Sequence, residues 1–223
     1  MLFAAIGFAA CATAQTFNME INIPATRFSL YDDDLAERPE LIKSTYSTLH
    51  NVPITVDLCA HSIIGIVGGD MKRGAIDIAR VLSAQIATNN CYTDVKLAYL
   101  YNESKSSDNG QWNFAKWLPH VWAEDRKTRY VASNREEAAD VLYELGNVMR
   151  VRAEEDPNTK KAGLPKPYFV LFISDQSLIE GEMFSKYIFE DNPAFGLTTV
   201  ILAERYEELP NNCEFIIENN NSF

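Results

Sequence analysis

The sequence is poor in the residues that build metal sites and disulfide frameworks. Its 223 residues include four cysteines and three histidines. None of the cysteines belongs to a CxxC pair or to a Cys/His cluster; they are Cys11, Cys59, Cys91 and Cys213. Zinc sites need ligands at short, regular spacings, so the pattern argues against structural zinc. We interpret the thiols as buried or half-buried groups in a reducing compartment.

Basic residues are scarce relative to acidic ones. Lys and Arg number 20 against 31 Asp and Glu, which gives a formal net charge of −11 and a pI near 4.8. Such a surface repels phosphate backbones, so direct nucleic-acid binding is disfavoured. Apolar residues make up 47% of the chain and charged residues 23%, as in ordinary globular domains, which argues against disorder and against a coiled coil.

No apolar run is long enough to span a bilayer, which needs about 20 residues. The N-terminal run covers residues 2–14, and Ala12-Thr13-Ala14 imitates a signal-peptide cleavage site. No Lys or Arg precedes the run, so the positively charged segment of a signal peptide is absent. We therefore expect the cut end of a longer chain that is strand-like as far as Phe8. A secreted α/β protein is the alternative.

Residues 1–52 are predicted to form a small β extension and a lead-in helix. Apolar and polar side chains alternate over residues 19–24, which is typical of a half-exposed strand, and this strand would pair with residues 2–8. Three adjacent aspartates, at positions 32–34, precede a helical pattern over residues 35–49. We interpret them as a solvated helix start, with a cation site as the alternative.

From residue 53 onward, apolar strand patterns alternate with helical ones. Strands are predicted at residues 54–58, 63–67, 95–101, 129–132, 168–173, 197–203 and 213–218. Helices are predicted at 72–87, 134–155 and 177–189, the last of them interrupted by Gly181. Ser133 and Glu136 have the spacing of a capping box for the second helix. Fully apolar strands are typical of a parallel sheet that is covered on both faces. The pattern predicts an α/β domain, compact over residues 53–223, with helices on both faces of the sheet.

The chain is organised around residues 62–77, which have the form of a strand, a phosphate-binding turn and a helix N-terminus. A working phosphate loop reads GxxxxGK[ST]; its Lys contacts the phosphates and its hydroxyl binds magnesium. On the longer pattern GxxGxxxxGK[ST], Gly65 and Gly68 match, and Gly69 completes the turn. The glycines therefore predict the shape of a nucleotide site.

The residues that supply the chemistry of a phosphate loop are missing. Gly74 replaces the Lys and Ala75 replaces the hydroxyl residue, while Lys72 and Arg73 lie one or two positions early. The two cations leave open a weak, vestigial nucleotide pocket. The alternative is a tight turn whose glycines serve geometry alone. We prefer this alternative where catalysis is concerned, and expect no hydrolysis at the turn.

A second apolar strand, residues 168–173, is followed by Ser174, Asp175 and Gln176 and has the form of a Walker B strand. An aspartate at such a strand end is placed to bind magnesium through water. Hydrolases of this class usually carry an acidic residue next, and the amide of Gln176 cannot act as that base.

Aromatic residues crowd the segment that follows the third predicted strand. Trp112, Phe114 and Trp117 lie just before the sequence Leu-Pro-His-Val-Trp at positions 118–122. Packing of a short helix onto the core is the preferred interpretation, and a grip on a ligand or partner is the alternative.

With these residues, the chain resembles the FtsK/SpoIIIE ATPase family, and most closely the membrane-bound ATPase of type VII secretion of the EssC/EccC kind. The matching stretches are residues 52–58, 63–69, 116–122, 167–175 and 198–210, so the resemblance is spread over residues 20–223. The segment Lys-Trp-Leu-Pro-His at 116–120 is the most specific of them. The strand at 200–205 is similar to the strand after Walker B in FtsK-like domains.

The resemblance implies a RecA-like, P-loop NTPase-like fold in a degenerate ATPase-like domain, which in that family lies between the transmembrane helices and the catalytic modules. It implies a motor component that links the membrane anchor to those modules and contacts other subunits, with an oligomer in the full assembly left open. The expected location is the cytoplasmic side of the bacterial membrane, reached only through other parts of the parent chain.

The resemblance also sets expectations for the site. No catalytic residue, metal or cofactor is expected, and the parent protein rather than this chain would be the ATPase. The vestigial nucleotide pocket would consist of Gly65, Gly68, Gly69, Lys72, Arg73, Gly74 and Asp175. The alternative is weak ATP and magnesium binding, or hydrolysis that uses Lys72 or Arg73 in place of the missing Lys.

Overall fold

The computed structural model describes residues 3–8, 15–16, 38–46, 48–49, 53–154, 164–190 and 195–219. It divides into two compact units, Ala5–Thr55 and Val56–Phe223, the second of which includes Met1–Ala4. Within the described residues, no helix is both long and apolar enough to cross a membrane.

The N-terminal residues form short elements. Their bounds are β1 Phe3–Phe8, β2 Gln15–Thr16, α1 Arg38–Tyr46 and β3 Thr48–Leu49. β1 agrees with the strand expected as far as Phe8. The helix expected over residues 35–49 is too long at its C-terminal end, because Thr48 and Leu49 pair antiparallel with β2. The strand expected at 19–24 and the aspartates at 32–34 lie outside the described residues.

The remaining elements follow the predicted alternation of strands and helices. The strands are β4 Pro53–Asp57, β5 Ile63–Val67, β6 Val95–Leu100, β7 Val131–Ala132, β8 Tyr168–Ile173, β9 Leu197–Ala203 and β10 Phe215–Glu218. The helices are α2 Arg73–Asn89, α3 Arg135–Glu154 and α4 Ser185–Phe189.

Six strands form one parallel sheet in the order β10-β5-β9-β8-β6-β7. Every residue of β5, β6, β8 and β9 is buried, so both faces of the sheet are covered. The predicted α/β class with a parallel sheet is confirmed. Because all six strands run the same way, the loops that follow them share one edge, and the loops that precede them share the other.

The two long helices bury the apolar faces that their sequence spacing predicts. On α3 these are Ala138, Val141, Leu142, Leu145 and Met149, which belong to one core cluster with Phe169, Leu171 and Ile173 of β8. On α2 the buried residues include Ile76, Ala79, Leu82 and Ile86. Each Val, Leu, Ile or Met side chain among them contributes about 1.5–3 kcal/mol when fully buried.

The helix predicted at 177–189 is interrupted at Gly181 as expected, but it is shorter than expected on both sides of that residue. Residues 177–189 do not form a single helix; a 3-10 turn spans Gln176–Leu178, and α4 covers Ser185–Phe189 only. Gly181 lies between them with a φ of +80°, in the left-handed region that ends a helix.

The aromatic segment divides between core and surface. Trp112 is 1% exposed and packs against Tyr99 and Tyr101, so the packing interpretation holds for this side chain. Its indole N–H donates to Asp108 at 3.3 Å. Trp117, in contrast, is 86% exposed and contributes little to the core.

Candidate functional site

The glycine turn lies at the carboxyl edge of the sheet, between β5 and α2. Its backbone N–H groups already donate to backbone carbonyls: Gly68 to Ala203 at 3.0 Å, Gly69 to Glu204 at 3.2 Å, Lys72 to Gly69 at 2.9 Å and Gly74 to Gly68 at 3.1 Å. A phosphate cradle needs such N–H groups to be free and to converge on the ligand. These four N–H groups instead form hydrogen bonds that attach the turn to the end of β9 and to the start of α2.

Close packing explains why glycine is required at position 68. A Cβ atom on Gly68 would lie 2.0 Å from the backbone nitrogen of Ala75, so α2 presses directly on the turn. Met71 and Lys72 have φ values of 56° and 53°, in the left-handed region that non-glycine residues rarely adopt. The turn therefore has a geometric use for its glycine.

Gly65 lies in the middle of β5 rather than in the turn. A Cβ atom there would approach a methyl carbon of Leu209 to 2.5 Å. Glycine at this position lets Leu209 pack against the strand, which is again a steric role.

The position of the missing phosphate-loop lysine is covered by Asn219, the residue that follows β10. Gly74 is buried, and the Asn219 side-chain amide donates to its carbonyl at 3.2 Å. The Asn219 backbone N–H donates to Val67 at 2.9 Å, which fixes this residue beside the turn. A Cβ atom on Gly74 would lie 2.8 Å from the Asn219 carbonyl oxygen, so a longer side chain there has to displace Asn219.

The two cations of the turn point to different places. The Lys72 ammonium donates to the carbonyl of Ser174, the residue that follows β8. Arg73 is exposed and lines a cavity of about 380 Å³ together with Met71, Ser106 and Gln111. Lys72 therefore joins two strand ends, and Arg73 alone faces open space.

Asp175, the Walker B-like aspartate, is 3% exposed and bound on both carboxylate oxygens. Lys105 forms an ion pair with it at 2.9 Å, and the Asn102 amide donates at 3.1 Å. Ser177 donates twice, from its backbone N–H at 3.1 Å and its hydroxyl at 2.8 Å. Burial opposes ionisation, but the hydrogen bonds from Lys105, Ser177 and Asn102 outweigh it and hold the pKa of Asp175 below its ordinary value.

The loop between β6 and Trp112 carries two of the three residues that bind Asp175, Asn102 and Lys105. This loop is itself held by Asp108, which is fully buried and accepts hydrogen bonds from the Asn102 backbone, the Trp112 indole and the Ser174 hydroxyl. The sequence analysis did not single out Asn102, Lys105 or Asp108 as site residues. Their position directly after β6, next to β8 in the sheet, is the signal that places them at this edge.

The residues at this edge do not fit a magnesium-bound nucleotide. Position 75 offers no hydroxyl, position 74 offers no ammonium, and the Asp175 oxygens already accept four donors. Gln176 uses its amide to hold the Glu208 carbonyl at 2.8 Å. Among the described residues, no group of three or more His, Cys, Asp or Glu side chains is arranged to hold a metal ion.

Comparison with known proteins gives relatives over most of the chain. The ESX secretion system protein YukB of Bacillus subtilis is 30% identical over 205 residues, which are 89% of this chain and 13% of that protein. The ESX secretion system protein EccC of Geobacillus thermodenitrificans is 29% identical over 187 residues, 83% of this chain and 12% of that protein. The chain is related to the type VII secretion ATPases. The resemblance seen in the sequence is thereby confirmed, although no family model matches the chain.

A solved structure shows the same fold. The cytoplasmic domain of the type VII secretion ATPase EccC from Thermomonospora curvata superposes with a TM-score of 0.50 and 14% identity, over 68% of this chain and 17% of that one. At this identity the likeness shows the fold alone, and the RecA-like α/β prediction is confirmed. The chain spans only about an eighth of the length of its curated relatives, by the coverage of 12% and 13%.

Proposed function

We propose that this chain is a non-catalytic, ATPase-like domain of a type VII secretion motor. The observation that carries the proposal is the contact between Lys105 and Asp175. The ammonium lies 2.9 Å from the carboxylate, where a hydrolase would place its magnesium shell. The chain thus neutralises its own Walker B-like aspartate, and its turn offers neither the lysine nor the hydroxyl of a working phosphate loop.

The role of such a domain is mechanical. It links the membrane anchor of the parent protein to the catalytic ATPase modules on the cytoplasmic side of the membrane, and it contacts other subunits. The relatives are named as secretion system proteins, and the chain covers about an eighth of them, so the rest of the parent has room for those parts. The net charge of −11 suits contacts with proteins better than contacts with nucleic acid.

A weakly active ATP-binding domain is the second candidate, and one observation favours it. Arg73 is exposed beside the turn and lines the cavity of about 380 Å³. A phosphate that enters this cavity would meet its guanidinium, although no hydroxyl at position 75 could hold the magnesium ion.

ATP turnover by the purified chain separates the two candidates. We expect phosphate release no faster than that of a Lys72→Ala/Arg73→Ala double variant in the same magnesium buffer. Robust hydrolysis by the parent sequence that disappears in the double variant would overturn the proposal. Far-UV circular dichroism of both proteins controls for the loss of the Lys72 tether.

Export and ATP hydrolysis by the full-length motor test whether the domain is non-catalytic. In a motor whose domain carries Asp175→Asn, we expect secretion and ATPase activity to be retained as long as the domain stays folded. Limited proteolysis of the purified motor reports that folding. Loss of ATPase activity with an unchanged proteolytic pattern would show that Asp175 takes part in catalysis.

A further inference from the structure

A second cavity, of about 570 Å³, lies at the amino edge of the sheet, away from the glycine turn. It opens where β6 and β8 begin and is lined by Tyr92, Thr93, Lys96, Pro119, Trp122 and Pro167. Its volume is within the range of about 300–1,000 Å³ that small-molecule sites occupy.

A buried cation forms part of the wall of this cavity. Lys96 is 6% exposed, and its ammonium donates one hydrogen bond, to the Trp122 carbonyl at 2.6 Å. An ammonium has three N–H donors, so this contact leaves capacity for a ligand. Burial lowers the pKa of Lys96, and the nearby Glu124 opposes that shift without forming an ion pair with it in the described part of the chain.

Two aromatic side chains line the cavity, and one of them lies beside the ammonium. The Tyr92 ring centre lies 5.7 Å from the Lys96 nitrogen. The Trp122 indole, which also lines the cavity, is braced by the Arg129 guanidinium, 4.1 Å from the ring centre. A braced indole is a wall of fixed position, against which an apolar group can pack without ordering the site first.

The surroundings of the cavity are locally basic in an acidic protein. Arg126 lines it, and Lys127 and Arg129 lie on the same loop. Of the acidic residues of this loop, Asp125 uses its carboxylate to accept from the backbone N–H groups of Lys127 and Thr128, at 2.9 Å and 3.0 Å. Glu124 is the acidic residue that lines the cavity, and its charge acts on Lys96. Such a local excess of positive charge favours an anion.

From these contacts we infer that the cavity binds a carboxylate attached to an aromatic or branched aliphatic group. The carboxylate takes the two remaining donors of Lys96 and the guanidinium of Arg126, and the apolar group lies between Tyr92 and Trp122. A free organic acid and the carboxyl-terminal residue of a polypeptide share this chemistry. The inference does not depend on the proposed function, because it concerns the opposite edge of the sheet.

N-acetylphenylalanine and its primary amide form a matched pair of probes that differ in the charge of one group. We expect the acid to quench or shift the tryptophan fluorescence with a Kd of about 1 mM or tighter, and the amide to bind at least tenfold more weakly. Equal binding of acid and amide, or no binding of the acid at 10 mM, would overturn the inference.

Two substitutions locate the site. Lys96→Met keeps the length and apolar stem of the side chain but removes the charge, and it is expected to weaken binding of the acid at least tenfold. The matched control is Lys186→Met, which removes a lysine that also lies over a tyrosine ring, at 4.6 Å from Tyr187, but outside this cavity. The control is expected to bind like the parent chain, and loss of binding there would contradict the assignment.

Folding of the variants is checked by thermal melting. If Lys96→Met fails to fold, Arg126→Gln on the exposed rim replaces it, with the same expected loss of acid binding. An N-acetylated tripeptide that ends in phenylalanine then distinguishes the two sources of the carboxylate. Tighter binding than N-acetylphenylalanine indicates a polypeptide terminus, and equal or weaker binding indicates a free acid.

Discussion

At the carboxyl edge of the sheet, the buried charge of Asp175 is met by four donors from the chain itself, whereas at the amino edge the buried ammonium of Lys96 is met by one carbonyl. The first edge has the outline of a nucleotide site, and its polar groups are satisfied internally. The second has no outline of a known motif, and its charge keeps unused donors beside a cavity. In this fold, therefore, the edge that resembles a nucleotide site is not the edge that has unused hydrogen-bond donors.

The difference has a physical source. Burying an ion is costly unless hydrogen bonds and an opposite charge replace its hydration. Asp175 receives both from the loop after β6. Lys96 lacks a paired carboxylate among the described residues, and burial lowers its pKa. The free energy of unfolding should therefore fall when the Asp175 charge is removed, and change little or rise when the Lys96 charge is removed.

The largest effect is expected from Gly68→Ala, which tests how tightly the carboxyl edge is packed. The added methyl carbon meets the Ala75 backbone at 2.0 Å, and neither the turn nor α2 can yield without breaking its hydrogen bonds. We expect a loss of about 3 kcal/mol or more of unfolding free energy, measured by urea denaturation. Gly146→Ala is the control. Gly146 lies within α3, and an added methyl carbon there would be 3.7 Å from Phe184, an ordinary contact distance. This substitution should stabilise the protein by about 0.5–1 kcal/mol. A Gly68→Ala loss below 1 kcal/mol would mean that this turn is loose enough to open for a ligand.

Asp175→Asn is next in size. It removes the ion pair with Lys105 and weakens three further hydrogen bonds at a buried position. Hydrogen bonds to a charged group contribute about 1.5–3 kcal/mol, so we expect a total loss of about 2–3 kcal/mol at pH 7 in the same denaturation experiment. If Asp175→Asn instead stabilises the protein, the Asp175 carboxylate is not satisfied by its neighbours, as is typical of a charge in a functional site.

The pH dependence of that loss checks its cause. Because the pKa of Asp175 is lower in the folded state, its contribution is complete above the unfolded value of 3.8 and is lost as the pH falls through the folded value. The difference between the parent chain and Asp175→Asn should therefore be constant from pH 7 to 5 and shrink below pH 4. A difference that persists undiminished at pH 2 would rule out the charge as its source.

Lys96→Met gives the smallest effect and the opposite expectation. It replaces a buried charge with an apolar side chain of similar length. The free energy of unfolding at pH 7 should therefore stay within about 1 kcal/mol of that of the parent chain, or rise. Because the folded pKa of Lys96 is lowered, the burial penalty is complete below that pKa and is relieved as the pH rises toward the unfolded value of 10.5. Any advantage of Lys96→Met should then decrease in alkaline buffer. A loss of more than 2 kcal/mol would identify Lys96 as structural and remove the contrast between the two edges.

The sequence predicts the sheet well because its strands are buried on both faces. Apolar runs such as Ile63–Val67 and Tyr168–Ile173 have one favourable environment, the centre of a parallel sheet.

Local signals at helix ends are less exact. The cap of α3 forms one residue later than expected, since Asn134 accepts from the Glu137 backbone and Glu137 from Ser133. Several residues of this kind compete for the same N–H groups, and packing decides among them.

The closure of the candidate site could not be read from the sequence. The Lys105–Asp175 ion pair joins residues 70 positions apart, and the Asn219 contact with Gly74 joins residues 145 positions apart. Periodicity carries no information on such pairs. The missing lysine and hydroxyl at positions 74 and 75 predict weak chemistry, but they do not predict which groups fill the space. The Lys96 cavity escaped notice because a single lysine in an apolar strand has no motif.

Calorimetric titration of the chain with ATP in magnesium buffer tests the central claim, that the carboxyl edge is closed by the protein's own side chains. We predict no saturable heat at ATP concentrations up to about 1 mM, for the parent chain and for Asp175→Ala alike. Binding tighter than about 10 μM that collapses in Asp175→Ala would contradict the account.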